Sequence, residues 1–569
     1  MPEYNLLDEP WLTLRPLDGG VPHQVGLTEG LLRSDEFAGV VVEFATQLPA
    51  LLRQVLLPVV GHALGVPATR AQWKQRFSQT RFSQDEKDKL RAYLEEHRGR
   101  FDLFSAVAPF GQAAGLRTAK DETKGAAALV ATAASGNNVP LFASRTDADR
   151  LELTPPQAAH WLLHTQCWDT AAIKTGAAGD PKVAAGKTTG NPTGPLGQLG
   201  VVIPMGRTLF DTLMLNLPLT PPSQVGAPQW IRDPTGPAWR PRPAAGLLDL
   251  WTWQARRIRL VPEAGEAGVR VARVVVCAGD RLTDTPAFEP HTAWNLVQPA
   301  GRKASAAKAA VGERRPRRHS PGKAAWRGLE ALLSPVRQST EGKFETSILL
   351  DQLAALVEDG ALPADYPMQV QTFGVVYGTQ SSVVEDVLHD AVPLPLLALR
   401  AEGDVHDLLL EIADQAEKLA WTVNNLSADL RRASGADPIP WDKGQRPGEL
   451  LLHVLDPLVR RVLAGVQKAG SHDEILQQGQ LAWEEAAWRA ADDIAEALFD
   501  ATSADAFRGR EAEQPGRAGR KSVHSLGTAE HNFRRRLAAV LPRQADALRE
   551  AAEARRRLAA PENTVGAHT

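Results

Sequence analysis

The sequence is poor in cysteine and has no long apolar run. Only Cys167 and Cys277 are present, far apart and outside any CxxC pair, which excludes a disulfide framework and a cysteine-based zinc site and fits a reducing compartment. The longest apolar stretch, residues 39–65, is interrupted by polar residues such as Glu43 and Arg53, so no transmembrane helix is predicted. The first ten residues are acidic where a secretion signal would be basic. We therefore expect a cytoplasmic protein with no membrane partner.

The net charge is also small. The 64 Lys and Arg residues are matched by 67 Asp and Glu residues, which argues against a protein that coats nucleic acid through its whole surface. Local charge differs, because residues 302–327 hold nine Lys or Arg against the one acid Glu313. Two interpretations of this basic run stay open, a solvated surface loop and a segment that contacts phosphates.

Signatures of catalysis are absent from the sequence. Residues 181–188, PKVAAGKT, end like a phosphate-binding loop, but Pro181 stands where the pattern needs its first glycine, and proline has neither an N–H nor a free φ. The His-Asp pairs at 389–390 and 472–473 lack the further ligands of a metal-dependent phosphohydrolase. No HExxH, GxSxG or DxDxDG motif occurs. The sequence predicts a protein that is not an enzyme and binds no cofactor or metal.

Length and patterning predict two domains. At 569 residues the chain is longer than one hydrophobic core usually supports. Up to about residue 395 it mixes β-branched runs, such as VRVARVVVC at 269–277, with helical patterns and with Gly- and Pro-rich stretches. Past Ala401 the pattern is helical, in four segments of bundle length. We predict an α+β fold, with a large irregular α+β domain over residues 1–400 and a C-terminal four-helix bundle over residues 401–569.

Prolines and connectors divide the helical part. The connectors 435–447 and 503–521 carry Pro, Gly and Asp residues that end helices. Pro457 and Pro542 are predicted to kink the helices that contain them. The last predicted helix, residues 529–557, is therefore bent but continuous.

The most unusual composition lies in residues 174–200, which hold seven glycines, three prolines and three lysines. Glycine lets a backbone approach another polymer with no side chain between them, and interspersed lysine suits a phosphate-lined groove. The alternative interpretation, from composition alone, is an ordinary surface loop.

Several short stretches resemble one protein family. The sequence YNLLDEPWL, from Tyr4, is similar to the opening of the CasA family, the large subunit of the type I-E CRISPR Cascade surveillance complex. Further stretches match the family in the same order along the chain: SGNNVPLF (135–142), the glycine-rich segment, GRTLFDTLMLNL (206–217), YGTQSS (377–382) and AEHNFRRRL (529–537). Their common order carries the resemblance, which spans nearly the whole chain.

The resemblance implies a fold, a function and a set of partners. CasA proteins join a large N-terminal α+β domain to a C-terminal four-helix bundle and carry no catalytic centre. The implied function is recognition of the PAM, the short DNA signal beside the target, through the minor groove, followed by the start of strand separation and R-loop formation. The implied partners are double-stranded DNA, the 5′ handle of the guide RNA, the other Cascade protein subunits and a separate helicase-nuclease. The guide RNA would supply sequence specificity.

The resemblance also implies site residues, position by position. The family's glycine loop corresponds to Gly176, Ala177, Ala178 and Gly179, and its glutamine wedge to Gly378, Thr379, Gln380 and Ser381. Its guide-docking loop corresponds to Asn137, Asn138 and Phe142. Its basic finger, typically a lysine, corresponds to Arg281, which follows the strand predicted to end at Cys277. Auxiliary phosphate contacts are expected from Lys174, Lys182, Lys187, Arg534 and Arg535.

These residues suit the implied chemistry, but each has an ordinary structural interpretation as well. Small residues let a main chain enter the minor groove, a cation favours its negative potential, and a glutamine side chain can fill the space of a separated base pair. The alternatives are Phe142 in the core, Gln380 capping a helix that starts near Ser381, the glycines forming turns, and residues 534–536 on a solvated helix face. Two further function classes stay open, a scaffold whose loops bind only protein subunits and an NTP- or metal-dependent enzyme.

Overall fold

The chain forms two compact units. The computed structural model describes residues 2–135, 150–187, 189–266, 268–296, 314–334, 343–401, 403–440, 444, 446–470, 472–514 and 517–559. The first unit comprises Met1–Ala325 and Glu330–Ala401, and the second comprises Trp326–Leu329 and Glu402–Thr569. The stretch Trp326–Leu329 thus belongs to the second unit, although it lies far upstream of residue 400.

Short strands form six small sheets among the described residues of the first unit, antiparallel except for the pair β8 and β11. The strand orders are β2-β1-β3, β4-β10-β9, β11-β8, β13-β12-β14, β16-β15-β7 and β5-β6. The strands are β1 (Leu12–Pro16), β2 (His23–Val25), β3 (Phe37–Val40), β4 (Lys124–Gly125), β5 (Ala172–Ile173), β6 (Gly190–Asn191), β7 (Val201–Met205), β8 (Pro241–Arg242), β9 (Arg256–Gly265), β10 (Gly268–Ala278), β11 (Arg281–Leu282), β12 (Trp294–Leu296), β13 (Arg314–Pro316), β14 (Phe344–Glu345), β15 (Gln369–Tyr377) and β16 (Val384–Pro393). The predicted strand at 269–277 is confirmed by β10.

Helices cover these sheets and supply much of the first unit's core. They are α1 (Leu27–Leu32), α2 (Gln47–Leu51), α3 (Leu57–Ala63), α4 (Arg70–Phe77), α5 (Gln84–Glu96), α6 (Pro155–Trp168), α7 (Pro181–Ala184), α8 (Leu209–Leu215), α9 (Pro222–Val225), α10 (Leu247–Trp251), α11 (Leu329–Leu333, whose first residue belongs to the second unit) and α12 (Ile348–Glu358). A π-helical turn, Leu52–Leu56, joins α2 to α3, and its buried Arg53 contacts Glu289 at 2.6 Å. No described helix is long and apolar enough to cross a membrane.

Helix α6 leads into the candidate site. It begins with a capping box, in which the Thr154 hydroxyl accepts from the Gln157 amide and the Gln157 side chain accepts from the Thr154 amide at 3.2 Å. Pro155 opens the first turn, where its missing N–H costs no helical bond. Every side chain in its last three turns is buried, so the core fixes the point at which residues 169–174 leave it.

The second unit is a helical bundle with an added hairpin. Its helices are α13 (Asp404–Ala433), α14 (Pro447–Ala469), α15 (Asp473–Asp500), α16 (Asp505–Arg508), α17 (Leu526–Val540) and α18 (Pro542–Ala559), and its strands are β17 (Arg510–Gln514) and β18 (Arg517–His524). Helix α13 contacts α14, α15 and α17, while α15 contacts α18. The predicted α+β fold with a C-terminal four-helix bundle is confirmed, with α17 and α18 together in the place of the fourth helix.

Two details of the bundle differ from the prediction. Pro542 does not kink a continuous helix, because α17 ends at Val540 and Pro542 starts α18, where its fixed φ suits a first turn. Pro457 does lie inside α14 without ending it. The segment 503–521, which was predicted as a connector whose Pro, Gly and Asp residues end helices, holds α16, β17 and part of β18.

The described part of the basic run is not a simple solvated loop. Arg314 lies in β13, where it contacts the Glu345 carboxylate and the Trp294 ring. Arg327 has only 6% of its side chain exposed and forms ion pairs with Glu417 and Glu449 of the second unit. These two arginines therefore serve packing, and residues 302–313 lie outside the described residues.

Candidate nucleic-acid interface

The predicted glycine loop, residues 176–179, rests on β10 and shows one edge to solvent. Ala177 is buried in a cluster with Val275 and Cys277, and the Ala178 amide donates to the Arg117 carbonyl at 2.8 Å. Ala178 and Gly179 are exposed. Gly179 has a φ of +85°, a left-handed conformation that favours glycine. The loop therefore presents an edge that is nearly free of side chains.

The short helix α7 closes the inner side of this loop. A Cβ atom on Gly176 would lie 2.7 Å from Val183, so the close packing there requires glycine. Asp180 caps the helix by accepting from the Lys182 amide at 3.0 Å. The turn-forming interpretation holds for Gly179, which has a left-handed φ, whereas Gly176 is required by its packing against Val183. Neither requirement involves the outer edge of the loop.

Arg281, which corresponds to the family's basic finger, lies over the same tryptophan ring as Lys182, a residue of α7 that follows the glycine loop. It begins β11, and its guanidinium carbon is 4.0 Å from the centroid of the Trp239 ring. The Lys182 ammonium lies over the same ring at 4.2 Å and donates to the Trp239 carbonyl. Burial lowers the pKa of Arg281. Two cations predicted from separate parts of the sequence therefore share one aromatic ring.

The predicted wedge is the tip of the hairpin formed by β15 and β16. Residues 379–381 form a single 3₁₀ turn, closed by the Ser381 amide donating to the Gly378 carbonyl at 2.8 Å. Gln380 has φ 54° and ψ 22°, and Ser381 has φ 56°. Gln380 is exposed. The interpretation of Gln380 as a helix cap is wrong, because β16 and not a helix follows this turn.

The wedge and the approach to the glycine loop are joined directly. The Ala171 amide donates to the Ser381 carbonyl at 2.8 Å. The Tyr377 hydroxyl, at the base of the hairpin, donates to the carbonyl of Trp168 at 2.6 Å. These two hydrogen bonds fasten the hairpin to residues 168–171, a few positions before Gly176. The chain thereby brings the wedge close to the segment that carries the glycine loop.

A buried ion cluster holds the same segment from the other side. Asp169 contacts the Arg256 guanidinium and, at 2.6 Å, the Lys174 ammonium. Arg256 is fully buried and also donates to the Thr170 and Pro192 carbonyls, both at 2.9 Å. Burial alone would raise the pKa of the Asp169 carboxyl, but Arg256 and Lys174 outweigh it and lower that pKa to about 2. Asp169 is therefore ionised at neutral pH.

This cluster disfavours one predicted contact. The Lys174 side chain is 13% exposed, and its ammonium is engaged by Asp169. A DNA phosphate could reach Lys174 only by competing with that carboxylate. Lys174 is thus a structural cation, and the prediction that it contacts phosphate is not retained.

The remaining predicted contacts are placed as follows. Lys187 is exposed on the turn after α7. In the second unit, Arg534 forms an ion pair with Asp492, while Arg535 is exposed and has no carboxylate partner among the described residues. Asn137, Asn138 and Phe142 lie outside the described residues.

Later glycines of the rich segment pack against the protein itself. A Cβ atom on Gly194 would overlap the Cys167 carbonyl group, one on Gly197 would overlap the Tyr377 hydroxyl, and one on Gly200 would overlap the Arg317 carbonyl. Neither interpretation from composition holds for these three positions, because the close approach is to the protein's own chain.

Sequence reasoning missed the residues that hold the site together. Asp169, Arg256 and Trp239 belong to no motif, and Trp239 is one of 14 tryptophans. Their roles depend on contacts between distant parts of the chain, which a single sequence does not display. Tyr377 was within reach of prediction, since it opens the matched stretch YGTQSS. Among the described residues no group of three His, Cys, Asp or Glu side chains is arranged to hold a metal ion.

Comparison with known proteins identifies relatives. The family model for CRISPR-associated protein Cse1 matches residues 5–494. The protein CasA/Cse1 of Thermus thermophilus is 28% identical over 495 residues, covering 83% of this chain and 89% of that protein. The crystal structure of Thermobifida fusca Cse1 is 30% identical with a TM-score of 0.77, covering 95% of this chain and 99% of that chain. A chain of a solved CRISPR RNA-guided surveillance complex has the same fold, with a TM-score of 0.64 at 19% identity and coverage of 88% and 100%.

Proposed function

The chain belongs to the CasA/Cse1 family of CRISPR-associated proteins, and from this premise we propose that it is the DNA-reading subunit of an RNA-guided surveillance complex. In this role it recognises the PAM in double-stranded DNA through the minor groove and starts strand separation. The guide RNA then pairs with the opened strand and supplies sequence specificity. The chemistry requires no catalytic residue in this chain.

One observation carries the proposal. The exposed edge of the glycine loop and the exposed Gln380 turn are connected by the Ala171–Ser381 hydrogen bond. A reader of the minor groove and a wedge must act on adjacent base pairs, so they have to be held in fixed relation. That connection supplies such a relation within one short segment.

The proposed mechanism uses each part differently. The main chain at Ala178 and Gly179 approaches the minor groove, whose acceptor pattern distinguishes A·T from G·C only coarsely, so several PAM sequences are tolerated. Arg281 is drawn to the negative potential of that groove. Gln380 enters the space of the first target base pair and offsets part of the unstacking cost, which is a few kcal/mol per step.

Auxiliary contacts and partners complete the proposal. Lys182, Lys187 and Arg535 contact DNA phosphates, whereas Arg534 does so only by leaving Asp492. Docking on the guide RNA 5′ handle and the other Cascade subunits through Asn137, Asn138 and Phe142, and recruitment of a helicase-nuclease, rest on family membership alone.

The test places a carboxylate on the loop edge. Gly179→Asp, in a complex reconstituted with guide RNA and the partner subunits, should weaken binding to PAM-bearing duplex by at least about tenfold, because the new charge faces the phosphates. Gly360→Asp is the matched control, since Gly360 also has positive φ and lies on an exposed turn with open space around it. It should bind like the wild type.

A pre-melted target separates DNA reading from a scaffold role. If the loop reads DNA, Gly179→Asp binds a target with an open bubble as tightly as the wild type does. Undiminished binding of Gly179→Asp to PAM-bearing duplex would instead favour a scaffold whose loops contact only protein.

A further inference from the structure

Trp239 contacts two cations, Arg281 and Lys182, through one ring. The residue is 5% exposed, and the Arg281 guanidinium and the Lys182 ammonium lie 4.0 and 4.2 Å from the centroid of its ring. Tryptophan gives the strongest cation–π attraction of the aromatic side chains. The Trp239 carbonyl also accepts from the Lys182 ammonium, so one residue orients Lys182 through both its ring and its main chain.

The two cations are not neutralised within the described residues. Neither Arg281 nor Lys182 forms an ion pair there, whereas the nearby Arg242 and Arg257 are paired with Asp280. The Nε atom of Arg281 is buried without a hydrogen-bond partner, and burial lowers its pKa. A carboxylate would hold a guanidinium equally well, but it would cancel the charge. An aromatic ring fixes a cation and leaves its charge available to a polyanion.

The backbone around the ring is held in register with Arg281. Strands β8 and β11 pair in parallel, and the Arg281 amide donates to the Arg240 carbonyl at 3.1 Å. The Arg240 amide in turn donates to the Asp280 carboxylate at 3.1 Å. The residue after Trp239 and the residue before Arg281 are thereby tied together, so the ring and the guanidinium keep a fixed spacing.

From these contacts we infer that Trp239 is a positioning residue for PAM recognition, which holds Arg281 and Lys182 preorganised and unneutralised for the phosphates and minor groove of a DNA duplex. The inference rests on the proposed function and extends it to a residue with no exposed face for DNA. Preorganisation matters because a free arginine side chain would lose rotamer entropy when it binds. Because Trp239 orders the Arg281 side chain when the protein folds, that entropy is lost before DNA binds.

A double-mutant cycle tests the inference. Trp239→Leu is introduced into the wild type and into a Lys182→Ala/Arg281→Ala background, and binding of the reconstituted complex to PAM-bearing and PAM-scrambled duplexes is measured across a salt series. In the wild type, Trp239→Leu should reduce the ratio of the two affinities about fivefold to tenfold. In the background without the cations it should change that ratio less than about twofold, because nothing remains to position.

Further arms keep the outcomes distinct. Trp239→Phe retains an aromatic face, so it should reduce the affinity ratio less than Trp239→Leu does in the wild type, and should not change it in the background without the cations. If circular dichroism shows that the leucine variant does not fold, the phenylalanine variant replaces it. Equal losses in both backgrounds would overturn the positioning role and leave the proposed function standing. If the Lys182→Ala/Arg281→Ala variant bound PAM-bearing duplex as tightly as the wild type, the proposed DNA contact of these two cations would be wrong.

Discussion

At the residue scale, the turn at Gln380 has an unfavourable backbone conformation. Both Gln380 and Ser381 have positive φ, a conformation that costs non-glycine residues about 1 kcal/mol or more each. Glycine would form this turn more easily, yet a glutamine side chain stands exposed at its tip. Strain of this kind persists where the surroundings enforce it, and here β15, β16 and the Ala171–Ser381 hydrogen bond do so.

Asp169 offers a residue-scale prediction. Asp169→Asn should destabilise the chain by about 3 kcal/mol, because it leaves the fully buried Arg256 without a carboxylate. Urea unfolding measures the loss, and hydrogen exchange of peptides covering residues 165–175 should show faster opening of that segment. The control Asp88→Asn removes an exposed pair with Arg91 and should cost less than about 0.5 kcal/mol. Similar exchange rates in both variants would contradict the role of the cluster.

The pH dependence has a definite sign. The Asp169 carboxyl has its pKa lowered to about 2 in the folded chain, below the unfolded value of about 3.9. Its contribution is therefore complete above about pH 4 and is lost as the pH falls toward 2. The stability difference between the wild type and Asp169→Asn should shrink over that interval.

At the scale of elements, the sequence predicted well whether a segment is a helix or a strand, but it predicted poorly how these elements are connected. The β-branched run at 269–277 and the helical periodicity past Ala401 were sufficient to predict β10 and the bundle, because hydrophobic spacing directly reflects burial. Pro542 shows the limit, since a proline that bends a helix and one that starts a new helix look alike in sequence. The hairpin of β17 and β18 lacks the alternating apolar pattern that signals strands.

Only the loop residues of the candidate site could be predicted from the sequence. The family resemblance indicated Gly179, Arg281 and Gln380, and the structure places all three in one unit. It could not indicate Trp239 or Arg256, whose effects depend on tertiary contacts. Composition also misled at Gly194, where the glycine accommodates the protein's own Cys167 carbonyl rather than a second polymer.

Gly194 supports a prediction at this scale. Gly194→Ala should destabilise the chain by about 2 kcal/mol, since the new methyl group would overlap backbone atoms that cannot move aside like a flexible side chain. Gly99→Ala is the matched control, because a Cβ atom there meets open space. Thermal unfolding of both variants distinguishes them. Equal melting temperatures would show that the segment 190–200 is not packed as described.

At the scale of the whole molecule, positive and negative charges nearly cancel. The net charge of −3 gives no general attraction to DNA, so the proposed DNA binding would depend on a few placed cations and on the partner subunits. Because this chain would then neutralise few phosphates, it should contribute little to the salt dependence of DNA affinity. Each cation should contribute about one unit to the slope of log affinity against log salt concentration. In the proposed role, such a protein discriminates by shape at a short signal and leaves most of the sequence to the guide RNA.

The central claim is that this chain begins strand separation at the PAM, and the opening of the first target base pair tests it most directly. A 2-aminopurine placed at that pair in PAM-bearing duplex should brighten when the wild-type reconstituted complex binds, and should stay quenched with Gln380→Ala and Gln380→Gly. The glycine variant removes the side chain without backbone strain, so equal losses assign the effect to the side chain. Both variants should bind a pre-melted target normally. If the 2-aminopurine brightened as much with both variants as with the wild type, strand separation by Gln380 would be contradicted.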